Sequence, residues 1–394
     1  MASSIQGSNQ LLVIFLLSLS AYAFYATWGI SLLDGTLQHM LDHRGADVPL
    51  IPGTQEPLRL HFIGIPPIDY WYTIMVLFFW QAVDGSHPST SLTGIYFLGQ
   101  LIGIWTLVYI EGYRIGNEGR TIARTLFWAI LMQNLTLACF GPIYFVYHLT
   151  SSPTNTRHTQ QTLLTAARNL KLLPASVLIG YILPSIWIAI PSPVAQSYAS
   201  QQAAIAVWTP FPVWVSLAHT ILTIGEVTLF NSASEKIVAR SSPAESRDIY
   251  NSALRAVYLF AIAGCAIVHI GTVATSLSAL LFPTIFGAGY TEYFAPNTLL
   301  FPQNSSSVAS IGAGVLNFMQ WDQWIGYTAV LSWVLKSYWS EAPKSAALFH
   351  TVLEAIVAIA LLGPGGAAVL FVWRRDEIMW AEEVVEKSPN FKTG

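Results

Sequence analysis

The chain has 394 residues, of which 53% are hydrophobic and only 10% charged, and its mean hydropathy is +0.50. Soluble domains carry about 25% charged residues, so this chain cannot cover a water-facing surface and much of it must face lipid. The net charge of −3 disfavours nucleic acid as a partner.

Apolar runs long enough to cross a bilayer recur along the chain. They predict an all-α, polytopic integral membrane helical bundle with about eight or nine transmembrane helices, at 11–33, 69–87, 92–111, 122–149, 174–191, 207–230, 253–281, 311–335 and 347–373. The short run 69–87 and the acid-containing run 311–335 are the weakest, and if one is re-entrant the count is eight. Residues 1–373 form one predicted domain, and 374–394 form a charged, disordered tail.

Ionisable residues inside apolar spans are costly and indicate function by default. Asp69 and Asp84 lie at opposite ends of the second span, too far apart to share a proton. Glu111 and Arg114, at i and i+3, share a helix face, and antiparallel packing brings them back to the end that holds Asp69. We predict an Asp69–Glu111–Arg114 cluster, which is either a structural ion cluster or one wall of an active site.

Polar residues also lie within later spans. Gln133 and Asn134 are in the middle of the fourth span, where amides either join helices or line a site. In the sixth span, His219, Thr223 and Glu226 form one polar stripe, unless the glutamate lies at the membrane interface.

The eighth apolar run is interrupted by Gln320 and Asp322. A buried acid has a raised pKa and can hold a proton, and on a face with aromatic residues it suits carbocation chemistry. The alternative is a segment that leaves the membrane, where the same acid would be solvated.

Motifs for metal and nucleotide chemistry are missing from the sequence. It has no Asp-Asp-x-x-Asp run to bind diphosphate through Mg²⁺, no phosphate-binding glycine-rich loop and no dinucleotide fingerprint. We therefore expect neither a metal nor a cofactor, which disfavours ATP-driven transport and metal-dependent ionisation.

A series of motifs between 69 and 148 has the spacing of a known family. They are Phe78-Phe79-Trp80, Asp84-Gly85, Pro88, Ser91-Leu92, Gly99-Gln100, Glu111, Arg114, Gly116-Asn117, Gly119, Gln133-Asn134, Pro142-Ile143-Tyr144 and His148-Leu149. This block resembles the fungal membrane-bound terpene cyclases of meroterpenoid biosynthesis, the AscI-like (ascofuranone and ascochlorin) type. Gln320-x-Asp322 is similar to the family as well, with lower specificity.

The resemblance implies an isomerase that protonates a farnesylated aromatic or polyketide substrate, or its terminal epoxide, and cyclises the prenyl chain without a metal. It implies a lipophilic prenylated partner and a place in the bilayer, which we expect to be the endoplasmic reticulum membrane. The candidate catalytic residues are Asp69, Asp84, Glu111, Arg114, Asn134 and Asp322. The candidate substrate-binding residues are Trp80, Gln133, His148, His219, Glu226 and Gln320.

Two other functions are consistent with the pattern of polar residues. A transporter or exporter of small molecules also uses polar residues in interrupted spans. A sterol-isomerase-like enzyme would use similar acid chemistry inside a helical bundle. The motif resemblance, and not the composition, favours the cyclase.

Overall fold

The computed structural model describes residues 2–152, 165–240, 243–287, 289–303, 306–341 and 348–386. Within these ranges the chain is built from helices, with two isolated β-bridges and no strand. The predicted all-α class is confirmed.

Twelve helices of ten or more residues make up the described part of the chain. They are α1 (Ala2–Phe24), α2 (Thr36–Gly45), α3 (Pro66–Val83), α4 (Pro88–Tyr113), α5 (Thr125–Leu135), α6 (Leu137–Ser151), α7 (Ala167–Val177), α8 (Tyr198–Trp208), α9 (Phe211–Arg240), α10 (Pro243–Leu281), α11 (Ile311–Glu341) and α12 (Leu348–Glu386). Through a π-helical turn, α1 continues to Ile30–Leu33 and α7 continues to Leu183–Ile188. Short helices lie at Ile115–Asn117, Thr121–Ala123, Tyr290–Tyr293 and Pro296–Leu300.

Six helical segments among the described residues are long and apolar enough to cross a membrane. They are Gln10–Leu33, Pro88–Tyr113, Ala167–Ile188, Phe211–Leu229, Asp248–Leu281 and Leu348–Met379. These helices indicate a membrane protein, whereas the predicted count of eight or nine is not confirmed. Helices α3 and α11 are not among the six, and α11 carries Asn317, Gln320, Asp322 and Gln323 as buried residues.

Helix α4 lies at the centre of the bundle. Helices α3, α10, α11 and α12 pack against it, and every residue from Gly99 to Gly112 is buried. A Cβ atom at Gly103 would lie only 2.8 Å from the Gly365 carbonyl oxygen and 2.9 Å from Cys265 Sγ. Small residues thus let three helices approach closely, as is common in membrane bundles.

Helix α12 is bent at Gly363, which has a φ of 75°, and Pro364. Because proline has no N–H, the carbonyl of Ala360 loses its usual helical donor. His269 Nε2 lies 3.0 Å from that oxygen and replaces the donor, while the N–H after the proline donates to Gln100 Oε1 at 3.0 Å. Helices α10 and α4 thereby satisfy polar groups that the bend leaves inside the bundle.

The predicted fourth span, 122–149, is two helices. Thr136 separates α5 from α6 with φ 77° and ψ 149°, a backbone conformation that residues other than glycine seldom adopt. The Thr136 hydroxyl accepts the backbone N–H of Cys139 at 3.1 Å and so caps the start of α6. The break places a helix N-terminus inside the protein.

Helix α12 also extends past the predicted end of the domain. It continues to Glu386, and Arg375 and Asp376 are each only 1% exposed. Residues 374–386 of the predicted tail are helical in the structure, and the side chains of Arg375 and Asp376 have buried partners. Residues 387–394 of that predicted tail lie outside the described residues.

Candidate active site

A cavity lies between α3, α4, α5 and α11, with walls also from α8 and the extension of α1. Its lining residues are mostly apolar and aromatic: Trp28, Met75, Phe78, Phe79, Phe97, Leu98, Leu101, Trp105, Met132, Gln133, Asn134, Thr136, Leu137, Trp208, Phe318, Met319 and Asp322. A concave apolar site with a few polar groups is the usual form of a small-molecule binding site.

Asp322 is the carboxylic acid of this wall. It is 5% exposed, and its Oδ1 accepts the backbone N–H of Ala138, the second residue of α6, at 2.7 Å. In the part of the chain that the structure describes, no lysine or arginine forms an ion pair with it. The apolar wall disfavours the charged carboxylate, whereas the helix N-terminus favours it. This balance suits a group that gives and regains a proton.

Two amide side chains lie in the same wall. Gln133 and Asn134 lie in the last turn of α5, just before its final residue Leu135, and both are half-buried. The Asn134 amide nitrogen donates to the Ile130 carbonyl of its own helix at 2.7 Å. Of the twelve predicted site residues, the structure thus brings Gln133, Asn134 and Asp322 to one cavity.

Glu111 and Arg114 belong to a separate buried group, the arginine–carboxylate cluster, with Arg375, Asp376 and His148. Glu111 Oε1 accepts from Arg114 Nε at 2.8 Å and from Arg375 Nη2 at 3.0 Å. Arg114 Nη2 donates to Asp376 Oδ2 at 2.9 Å. The described residues of this cluster include two guanidinium groups and two carboxylates, which compensate one another as buried charges require. None of the five residues lines the cavity.

The imidazole of His148 is held by two neighbours. Trp333 Nε1 donates to His148 Nδ1 at 3.1 Å, and an indole N–H can only donate. His148 Nδ1 accepts that bond, and Nε2 lies 2.9 Å from Glu111 Oε2. Both ring nitrogens of this predicted substrate-binding residue are engaged inside the cluster.

Asp69 lies outside this cluster, contrary to the prediction. Its carboxylate accepts the backbone N–H groups of Phe62, Ile63 and Gly64 at 3.0, 2.8 and 3.0 Å, which fixes the loop before α3. Helix α4 has 26 residues and α3 has 18, so α4 continues well past the start of α3. Glu111, close to the end of α4, therefore meets α12 and not Asp69.

The remaining predicted residues do not line the cavity either. Asp84 Oδ1 accepts the Ser86 backbone N–H at 2.9 Å in the turn between α3 and α4. Trp80 is fully buried and packs near Tyr198 at a ring distance of 6.0 Å. Its neighbours Phe78 and Phe79 are the residues of this motif that reach the cavity.

His219, Glu226 and Gln320 make contacts between helices. His219 Nδ1 lies 3.1 Å from the Ser176 hydroxyl, and Glu226 forms an ion pair with Arg168. Gln320 Nε2 donates to backbone carbonyls of the short helix Pro296–Leu300, at 2.7 Å to Thr298 and 3.0 Å to Leu299. These contacts join α7 to α9 and the short helix to α11.

Sequence reasoning did not identify Arg375 and Asp376, or the cavity residues Trp28, Trp105 and Trp208. The available signal for Arg375 and Asp376 was their position as an adjacent pair directly after a long apolar run. The tryptophans have no local signal, because only packing separates them from the other aromatic residues. Within the described residues, no group of three or more His, Cys, Asp or Glu is arranged to hold a metal ion.

Comparison with known proteins identifies the family. The CtvD domain model matches residues 12–380. Terpene cyclase ctvD of Aspergillus terreus is 28% identical over 366 residues, covering 92% of this chain and 98% of the relative. Terpene cyclase ascI of Acremonium egyptiacum is 27% identical over 381 residues (95% and 93%), and terpene cyclase janA of Penicillium janthinellum is 28% identical over 359 residues (90% and 92%). No solved structure matches the chain.

The chain therefore belongs to the CtvD family of fungal terpene cyclases. The resemblance drawn from the motifs between 69 and 148 is confirmed, and so is the prediction of a cyclase enzyme.

Proposed function

We propose that this terpene cyclase protonates a farnesylated aromatic or polyketide substrate, or its terminal epoxide, and cyclises the prenyl chain without a metal ion. The observation on which the proposal depends is the Asp322 carboxyl, buried in an aromatic cavity at the N-terminus of α6. A prenylated substrate partitions into lipid and can reach the bundle from the bilayer. The endoplasmic reticulum membrane is the proposed compartment.

The chemistry assigned to Asp322 is the first proton transfer. The neutral carboxylic acid gives its proton to the terminal alkene carbon or to the epoxide oxygen, and the Ala138 N–H stabilises the carboxylate that remains. Aromatic faces of the wall stabilise the carbocation. Gln133 and Asn134 hold an oxygen atom of the substrate, and the apolar walls keep water away until the rings have closed.

Interrupted helices favour the alternative function of a transporter. The breaks at Thr136 and Gly363 resemble the discontinuous helices that form transporter binding sites. The relatives that cover almost the whole chain are named terpene cyclases, and this supports the enzyme. A sterol-isomerase-like activity would share the acid and differ in its substrate.

The test uses membranes from yeast that express the chain, incubated with a farnesylated phenol or its terminal epoxide, with and without EDTA. We expect a cyclised isomer in both conditions and a loss of about 10²-fold or more in rate for Asp322→Asn, the range typical of a positioned acid. Asp84→Asn is the matched control, because that carboxyl lies at the turn between α3 and α4 and does not line the cavity.

Several results would contradict parts of this proposal. Full activity of Asp322→Asn would show that Asp322 is not the acid. Loss of activity with EDTA would show that the reaction needs a metal ion. Uptake of unchanged substrate into sealed vesicles, with no cyclised product from well-folded protein, would favour the transporter. Turnover of sterols alone would favour the isomerase.

A further inference from the structure

Four aromatic side chains of the cavity wall form a run of ring contacts that begins beside the acid, where Phe318 also contacts Trp28 at 5.2 Å. Phe318 precedes Asp322 by four residues on α11, so the two share one helix face. The ring centroids of Phe318 and Phe78 are 5.1 Å apart. Those of Phe78 and Phe79 are 4.8 Å apart, and those of Phe79 and Trp208 are also 4.8 Å apart. These rings come from three helices, α11, α3 and α8, so their order is a property of the packing.

The order continues to α4. Phe211 lies behind the wall, 5.8 Å from Trp208 and 5.3 Å from Trp105. Trp105 lines the cavity again, seven residues after Leu98 and four after Leu101 on α4. The wall residues Phe318, Phe78, Phe79, Trp208 and Trp105 are here named the aromatic series. Asp322 is next to its first member and several ring contacts away from its last.

We propose that the prenyl chain binds along the aromatic series, with its terminal double bond or epoxide at Asp322 and its head group toward Trp105. Phe318 and Phe78 then stabilise the cation of the first ring closure, and Trp208 and Trp105 stabilise the cations of later closures. This inference rests on the proposed function, because it takes Asp322 as the proton donor.

The chemistry moves positive charge in one direction along the series. The proton from Asp322 forms a C–H bond at the terminal alkene, or an O–H bond as the epoxide C–O bond breaks. The π electron pair of the next double bond then forms a C–C bond and leaves a cation one isoprene unit closer to the head group. The last cation loses a proton from an adjacent carbon to water, and Asp322 regains a proton from solvent. Substrate and product are therefore isomers.

Each ring of the series is then specific for one stage of the cascade. A face-on aromatic ring stabilises a desolvated cation by enough to change a rate about tenfold or more. Removing an early ring slows the first closure, which all products share. Removing a late ring leaves the first closure intact. The second cation is then less stabilised, so the enzyme releases partly cyclised product.

The test compares product distributions from membranes that contain Phe318→Leu, Phe78→Leu, Trp208→Leu or Trp105→Leu, with the farnesylated phenol epoxide as the probe. The early variants should form product about tenfold more slowly with an unchanged distribution. The late variants should convert the main product to a monocyclic one. Trp208→Phe, which keeps an aromatic ring, should restore the wild-type distribution. Phe371→Leu, at a fully buried ring that contacts Tyr338 and does not line the cavity, is the control.

The outcomes separate this inference from the proposed function. If wild-type membranes give no cyclised product, the proposed function fails. If the wild type cyclises but Trp208→Leu only slows the reaction with its distribution unchanged, the order of the series is overturned. The same holds if Phe318→Leu accumulates the monocyclic product. The amount of folded protein in each membrane is measured by size-exclusion chromatography in detergent, so that a rate can be stated per folded molecule.

Discussion

The Asp322 carboxyl and the Ala138 backbone N–H, on different helices, are joined by a hydrogen bond of 2.7 Å. In an unbroken helix the Ala138 N–H would donate to the carbonyl of Asn134, four residues earlier. The positive φ of Thr136 ends that ladder and leaves the N–H for the acid. A break in one helix is thus the condition for holding a carboxyl in the aromatic cavity.

Thr136 should therefore control both stability and rate. Thr136→Ala removes the hydroxyl that accepts the Cys139 N–H, and loss of such a cap costs about 1 kcal/mol. We expect a matching decrease in the free energy of unfolding in mixed micelles and a slower cyclisation, because α6 no longer begins at a fixed point. Thr136→Ser keeps the hydroxyl and should retain most of both. Equal values for the alanine and serine variants would show that the cap has no role.

Two adjacent arginines should differ sharply in their effect on stability. Arg375→Ala leaves the buried carboxylates of Glu111 and Asp376 with one arginine fewer, and breaking a buried pair costs about 3–5 kcal/mol. Arg374→Ala breaks an exposed pair with Glu354, worth about 0–1 kcal/mol, and a distant contact with the Phe371 ring. Denaturant titration of both variants measures the difference. Similar values for the two would contradict the buried cluster.

The arginine–carboxylate cluster should also respond to charge balance. Glu111→Gln leaves two guanidinium groups facing one carboxylate in the described cluster, so it should lower the free energy of unfolding by about 3 kcal/mol. The double variant Glu111→Gln with Arg375→Gln removes one charge of each sign and should be less destabilised than the sum of the single variants. A double-mutant cycle on unfolding free energies tests this coupling. Additive effects would mean that the two side chains do not interact.

The close packing around α4 predicts opposite effects for two glycine substitutions. Gly103→Ala places a methyl group within 2.9 Å of Gly365 and Cys265, and overpacking of this kind costs about 1–3 kcal/mol. Gly225→Ala in α9 meets no atom within 4 Å, so it should stabilise the protein by about 0.4–1 kcal/mol through the unfolded chain. Melting temperatures in detergent measure both. A stabilising Gly103→Ala would contradict the helix contact.

Local sequence pattern predicted the features that depend on local chemistry. Apolar runs located the helices, and polar residues inside those runs located Asp322, Gln133 and Asn134, because lipid-facing positions do not tolerate such groups. The weakest predicted spans were α3 and α11, and these two are not among the six apolar helices. In α11 the polar residues that weaken the pattern are the ones buried in the bundle.

Features that depend on distant partners were not predictable in the same way. The position of Asp69 depends on the relative lengths of α3 and α4 and not on its spacing from Glu111. Arg375 and Asp376 lie at the start of a charge-rich stretch, which by composition is typical of a solvated tail. Their burial depends on Glu111 and Arg114, more than 260 residues earlier. The chain has 51 aromatic residues, and only the packing selects those of the cavity.

The distance between Glu111 and Arg375 along the chain has a consequence for biosynthesis. Arg375 is the 264th residue that the ribosome adds after Glu111. Until then Glu111 and Arg114 lie at the end of the central helix paired with each other but without their two partners from α12. Helix α12 is the element that completes the set. A chain that terminates before α12 therefore leaves Glu111 and Arg114 inside the bilayer without the contacts that fix the end of the central helix.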